Sequence, residues 1–174
     1  MFKLDLFYLL SLSLFLGKKM GKLFTIHYQS EFGKIYQDSS RITPIIFIVS
    51  SSGINPFIDV ENYGKRLGFN IAHRNLHYIS MGQGQEKLIE KLIHIASKYG
   101  HWVILQNIHL NPKWLPTLDK LITSYSMNAA ENFRIFMSLE ANENFNADFI
   151  PINLLESSIK ITCETPDGNQ EKNI

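Results

Sequence analysis

One cysteine, Cys163, occurs in 174 residues, so no disulfide can form within the chain, which fits a reducing compartment. Charge of one sign is also missing. Seventeen Lys and Arg stand against sixteen Asp and Glu, a net charge of +1. The basic residues are scattered, so neither nucleic acid nor a membrane is an expected partner. There is no low-complexity tract, and 45% of the residues are hydrophobic, which excludes a disordered tail or a fibrous repeat and leaves one self-sufficient core as the expectation. Long hydrophobic runs are absent as well: the longest, residues 6–16 (LFYLLSLSLFL), falls short of the about 20 residues that cross a bilayer.

That run, with Lys3 before it and Lys18 and Lys19 after it, has the outline of a secretory signal. Asp5 stands where positive charge belongs, and no small-x-small cleavage site follows cleanly. A helix belonging to an upstream segment and a misplaced start are the other readings. Residues 1–40 therefore stay outside the fold argument, and residues 41–174 are read as the domain.

From Thr43 onward short apolar runs alternate with segments of helical period. Residues 45–49 (IIFIV) read as a strand buried on both faces of a parallel sheet. Asn55-Pro56 then resembles a cap and a first helical position, with Phe57, Val60 and Leu67 on one side of a helix and Gly68 at its end. Residues 76–80 read as a weaker strand. Ser80 and Gln83 have capping-box spacing, and Leu88, Leu92, Ile95, Ala96 and Tyr99 recur at helical intervals up to Gly100. Residues 102–105 (WVIL) form a second apolar strand. Leu115, Leu118, Ile122 and Tyr125 mark another helix, and residues 133–139 and 158–162 supply two later strands. Strands separated by helices imply right-handed crossovers and a parallel sheet covered on both faces: an α/β fold in three layers.

Ligands collect at the carboxyl ends of such strands, which directs attention to the loops after Val49 and Leu105. A phosphate-binding loop needs G-x-x-x-x-G-K-[ST], in which backbone N–H groups and the lysine hold phosphate while the hydroxyl binds magnesium. Laid on residues 51–58 (SSGINPFI), the pattern finds Pro56, Phe57 and Ile58 where Gly, Lys and Ser/Thr should stand. Proline has no N–H to offer, and the other two cannot replace a cation and a metal-binding hydroxyl. Ser50–Ser52 with Gly53 could form a weak anion nest, but a turn leading into a capped helix is the favoured reading. After the second strand an active ATPase of this kind carries an acidic pair. Here Gln106 and Asn107 keep the size of that pair and lose the charge a hard divalent cation requires. Catalysis, nucleotide binding and metal binding at these positions are not expected.

Other constellations have plainer readings. His73 and His77 are four apart but lack a third ligand in register. His94, His101 and His109 read as packing or surface residues. Cys163 reads as a small buried apolar side chain, and Trp102 and Trp114 as core or interface anchors. Ser50–Ser52 lack the G-x-S-x-G signature of a hydrolase elbow.

Residues 100–110 (GHWVILQNIHL) followed by Lys113-Trp114-Leu115, residues 81–86 (MGQGQE) and residues 154–162 (LLESSIKIT), in that arrangement, closely resemble the last AAA+ module of dynein heavy chains. Residues 43–60 (TPIIFIVSSSGINPFIDV) look like its opening strand and loop. The resemblance implies a RecA-like AAA+ large subdomain, one of six modules joined in a ring. It implies a structural role without a functional nucleotide site, with ATP and magnesium handled at other modules of the parent motor. Implied partners are neighbouring AAA+ modules and, through the full complex, dynein intermediate and light chains and microtubules. The implied setting is the cytoskeleton of the cytoplasm, and minus-end-directed movement the implied task. The QNIHL wording and the KWLPTL segment look more like axonemal outer-arm chains than the cytoplasmic form, which places the implied complex in a cilium or flagellum. Family members continue beyond this module into a helical lid, which is expected to be absent here together with the other five modules, the stalk and the tail. Two readings compete: a free-standing nucleotide phosphohydrolase with an atypical loop, and a secreted or anchored binding domain that depends on residues 1–20.

Overall fold

The five segments read as strands become five strands: β1 (Ile45–Val49), β2 (Leu76–Ser80), β3 (Trp102–Gln106), β4 (Arg134–Glu140) and β5 (Ile159–Cys163). In this computed structural model, which describes residues 32–49, 55–140 and 149–163, they form one parallel sheet in the order β2-β3-β4-β1-β5. The α/β expectation holds, and the physical reason is visible in burial. All five residues of β1 are buried, as are the first four of β3 and the first six of β4, because helices cover both faces.

The helices are α1 (Phe32–Asp38), α2 (Ile58–Arg66), α3 (Glu86–Tyr99), α4 (Leu115–Ser126) and α5 (Ile152–Ser157). Successive strand residues alternate between two cores. Ile46, Ile48, Val103, Leu105, Ile135 and Met137 meet α3, α4 and α5. Ile45, Phe47, Ile104 and Phe136 meet α1 and α2 on the other face, with Trp102 at the centre of an aromatic cluster. The Trp102 ring stacks on Phe69 at 4.6 Å between centroids and lies 5.1 Å from both Tyr36 and Phe136, while its Nε1–H donates to the Asn132 carbonyl. Trp114 is half-buried against the opposite core.

Helix α1 precedes residue 41 yet belongs to the packed body. Its Phe32 and Ile35 are buried, and the segment is tied down by Arg134 at the start of β4. The guanidinium donates to the Ser39 hydroxyl and carbonyl and to the carbonyls of Glu131 and Phe133, with the Tyr36 ring 5.0 Å beneath it. These acceptors let a cation sit 9% exposed.

Several sequence-based details change. Ser80 and Gln83 do not cap α3: Ser80 pairs with Gln106 as the last residue of β2, and the helix begins at Glu86 with no side-chain cap. The ladder takes the residue that local spacing offered to the helix. The inward face of α3 is Ile89, Ile93 and Ala96 rather than the stripe read from the sequence. Of that stripe Ala96 is buried and Leu92 half-buried, while Leu88, Ile95 and Tyr99 are exposed. Leu67 is exposed rather than packed beside Phe57 and Val60. Gly100 does close α3, at φ 73° in the left-handed region that glycine tolerates.

Candidate functional site

The parallel sheet brings the ends of its strands to one edge. Register places Val49 beside both Glu140 and Cys163, and Ser80 beside Gln106. The edge to which the sequence directed attention is thus formed by the ends of β1, β3 and β4, with the start of α2 following β1 in the chain. Residues 50–54, which include the serines considered as an anion nest, lie outside the described residues.

The far end of that loop is fixed by apolar packing. Phe57, at the position of the phosphate lysine, is 1% exposed. Its ring meets Phe47 at 5.4 Å and Tyr78 at 6.1 Å, both edge to face, the arrangement that aromatic quadrupoles favour. The Phe57 N–H donates to Asn55 Oδ1 at 3.0 Å, so a side-chain oxygen already occupies the amide that a phosphate would seek. Asn55 is therefore a cap, though of a turn, and α2 begins only at Ile58. Pro56 is buried and has no N–H. Ile58, at the hydroxyl position, is 54% exposed. The first turn of α2 carries Asp59 and Glu61. Carboxylates there complement the helix dipole and oppose a phosphate at the same place. Glu61 is engaged by the Tyr78 hydroxyl, and burial together with that bond pushes the phenol far above its ordinary range.

At the end of β3, Gln106 contributes its carbonyl to the Met81 N–H. Asn107 turns sharply at φ 57° and ψ 49°, a left-handed conformation that Asn tolerates better than most residues. Its N–H donates to the Ser138 hydroxyl on β4. Both amides are half-buried and provide neutral dipoles where a metal would want negative oxygens. Among the described residues no three His, Cys, Asp or Glu side chains converge as a metal site.

One acidic residue at this edge was not found from the sequence. Glu140 ends β4 opposite Val49, half-buried. Its N–H donates to Nδ1 of His109, which makes Nδ1 the acceptor and leaves the ring proton on Nε2 in the neutral form. Burial lowers the pKa of His109, and the Glu140 charge opposes that shift. Only the topology places Glu140 here; no spacing in the chain links it to Val49 or His109. A single carboxylate does not rebuild a triphosphate site while the lysine position is filled by the buried Phe57.

The remaining histidines fall apart as a group. His73 lies in the turn before β2 and bonds Asn70, whereas His77 lies on β2 and meets His101 with 3.0 Å between Nε2 and Nδ1. His94 is exposed on α3, 5.2 Å from the Tyr125 ring. Cys163 is 2% exposed, and burial followed by the Asp59 charge pushes its thiol up to about 12, the behaviour of an inert core cysteine.

A family model described as the dynein heavy chain region D6 P-loop domain matches residues 40–162. The chain belongs to the dynein heavy chain family. The ciliary dynein beta chain of Tripneustes gratilla is 46% identical over 154 residues, 88% of this chain and 3% of its own length. Dynein axonemal heavy chain 17 of Homo sapiens is 47% identical over the same shares. The flagellar outer-arm dynein beta chain of Chlamydomonas reinhardtii is 36% identical over 155 residues, again 88% and 3%. This chain therefore spans a small fraction of these dynein relatives, which are ciliary and flagellar proteins. Among solved structures, Rhizobiales Trip13 covers 87% of this chain and 53% of its own at a TM-score of 0.45 and 11% identity.

Proposed function

We propose that this dynein P-loop domain is a non-catalytic element that transmits strain within an axonemal heavy chain and binds neither nucleotide nor magnesium itself. The observation that carries the reading is Phe57: the lysine position is a core residue, and its amide is taken by Asn55. A phosphate there would need a buried aromatic ring to leave the core and would meet Asp59 and Glu61 instead of a cation. ATP is hydrolysed at other modules of the parent motor, and closure of those modules moves this one as a packed body. Its partners are neighbouring modules and, through the full complex, intermediate and light chains and microtubules, with minus-end-directed movement in the axoneme as the output. The experiment is a calorimetric titration of the chain with MgATP. The expected result is no saturable heat up to about 1 mM, an affinity weaker than about 4 kcal/mol. Saturable binding at micromolar nucleotide would overturn the reading and favour the phosphohydrolase.

A further inference from the structure

The residues that the sequence placed on the inward side of α3 lie mostly on its outer face. Leu88, Leu92, Ile95 and Tyr99 recur at intervals of four, three and four, which aligns them as one stripe about 16 Å long at 1.5 Å per residue. Leu88 is 54% exposed, Ile95 47% and Tyr99 63%. The stripe is not isolated. Leu92 also lines an open groove of about 520 Å³ at the outer edge of β2, bounded by Ile71, Arg74 and Ile79, where among the described residues β2 has no further strand beside it. Scattered exposed apolar side chains are ordinary, whereas a helical row continuous with a groove is the outline of a docking face.

Cations outnumber anions around this face. Lys87, Lys91 and Lys98 stand exposed on α3, and Arg74 stands at the groove. Against them α3 carries only Glu90 and Glu86, and the Glu86 carboxylate is engaged by the Asn111 amide at 2.8 Å. Among the described residues none of the four cations forms an ion pair. A ridge spaced 88-92-95-99 fits the groove between rows of a second helix better than it fits an extended strand. We propose that α3 and the groove at the β2 edge bind an amphipathic helix of another polypeptide segment, with apolar residues at heptad spacing seated on Leu88, Ile95 and Tyr99 and flanking carboxylates facing Lys91, Lys98 and Arg74. This deepens the strain-transmitting reading by giving one transmitting face a location. A failed helix titration would leave the nucleotide titration untouched.

The probe is a synthetic amphipathic helix of about 15–20 residues with leucines in a heptad row and glutamates beside it. It is compared with the same peptide carrying lysines for glutamates, and with an alternating Val/Glu peptide that favours a strand. Binding to the 174-residue chain is followed by fluorescence anisotropy and the contact by amide hydrogen exchange. The glutamate helix should bind at least about tenfold tighter than the lysine helix at low salt, lose that advantage as salt screens it, and protect α3. Ile95→Asp should abolish binding without changing the melt of the chain, and Lys91→Glu with Lys98→Glu should reverse the preference between the two helices. Four results would each sink the proposal: equal binding of both helices; no binding of either; protection of β2 by the strand peptide in place of α3; or sedimentation showing that the stripe joins two copies of this chain and that Ile95→Asp separates them.

Discussion

Phe57 and Ile58 are neighbours in sequence that the structure sends to opposite environments, so substituting each separates a core reading from a phosphate-loop reading. Phe57 is 1% exposed and faces Phe47 and Tyr78 edge to face. Removing such a ring leaves a cavity among side chains fixed by the sheet, and Phe→Ala in a core costs about 3–5 kcal/mol. Against a typical total of about 5–15 kcal/mol for a domain, that is a large share. At about 2–4 °C per kcal/mol for this size, the melting temperature of Phe57→Ala should fall by roughly 6–20 °C. Ile58 is 54% exposed, so Ile58→Thr, which restores the hydroxyl of a phosphate loop, should stay within about 0.5 kcal/mol of the parent. The double variant Phe57→Lys with Ile58→Thr restores both letters of the motif and should unfold, because its ammonium would be buried among aromatic rings without a partner at a cost of several kcal/mol. Circular dichroism melts on the three variants and a MgATP titration of any that fold provide the readout. A Phe57→Ala protein melting within about 2 °C of the parent, or a folded double variant that binds MgATP, would refute the reasoning.

Gly64→Ala places a Cβ 3.0 Å from the Trp102 ring and 3.3 Å from the Phe69 carbonyl. Because Trp102 is stacked on Phe69 and cannot retreat, overpacking should outweigh the gain in helix propensity and cost about 1–2 kcal/mol in urea denaturation. Arg134→Met strips the carbonyls of Ser39, Glu131 and Phe133 of a buried donor. It should cost about 2–4 kcal/mol and release residues 32–39 to hydrogen exchange first, and Arg134→Lys should not rescue it, because an ammonium cannot span the same fork of acceptors. His77, His101 and His109 all have pKa values lowered chiefly by burial. The folded state therefore resists their protonation: their contribution is fully present above about pH 6.5 and is lost as pH falls through the lower folded values. Urea midpoints should drop between pH 7.5 and 5.5, and His77→Gln with His101→Gln should flatten that slope. The Cys163 thiol, pushed up to about 12 and 2% exposed, should resist iodoacetamide at pH 8 in the native chain and react on unfolding.

The strands were legible because β1 and most of β3 are unbroken apolar runs that burial on two faces explains, while β2, β4 and β5 carry polar residues within a mainly apolar or β-branched pattern, and all five lie within a residue of their expected bounds. Helix α3 shows where periodicity stops deciding. Its apolar positions form two stripes, Ile89-Ile93-Ala96 and Leu88-Leu92-Ile95-Tyr99, each with helical spacing, and nothing local says which meets the sheet. The inward one is selected by contact with Val103, Leu105 and Met137, a tertiary fact. Helix α1 was missed for a related reason: seven residues with two buried side chains carry little pattern, and Arg134, its anchor, is 95 positions from Ser39. At the candidate site the unsuited residues Phe57, Gln106 and Asn107 could be read directly, since a motif is a local pattern. Glu140 could not, because its place at this edge exists only through the pairing of β4 with β1.

Under the proposed role, Phe57, which is unsuited to nucleotide chemistry, has a second consequence, because it also anchors the start of α2 in the core. A working phosphate loop keeps its amides free and closes when ligand arrives. Here Phe57 is held in an aromatic cluster and its amide by Asn55, so the start of α2 is anchored to the sheet. At the opposite end of the sheet Arg134 joins the chain entering the domain to β4 through Ser39. In the proposed role, displacement arriving along residues 32–39 would reach β4 through these hydrogen bonds. Under the proposed role, a body whose α2 start is packed into the core passes displacement on with less loss than one whose phosphate loop opens and closes, which gives a use to Phe57 at the position where a phosphate loop carries its lysine.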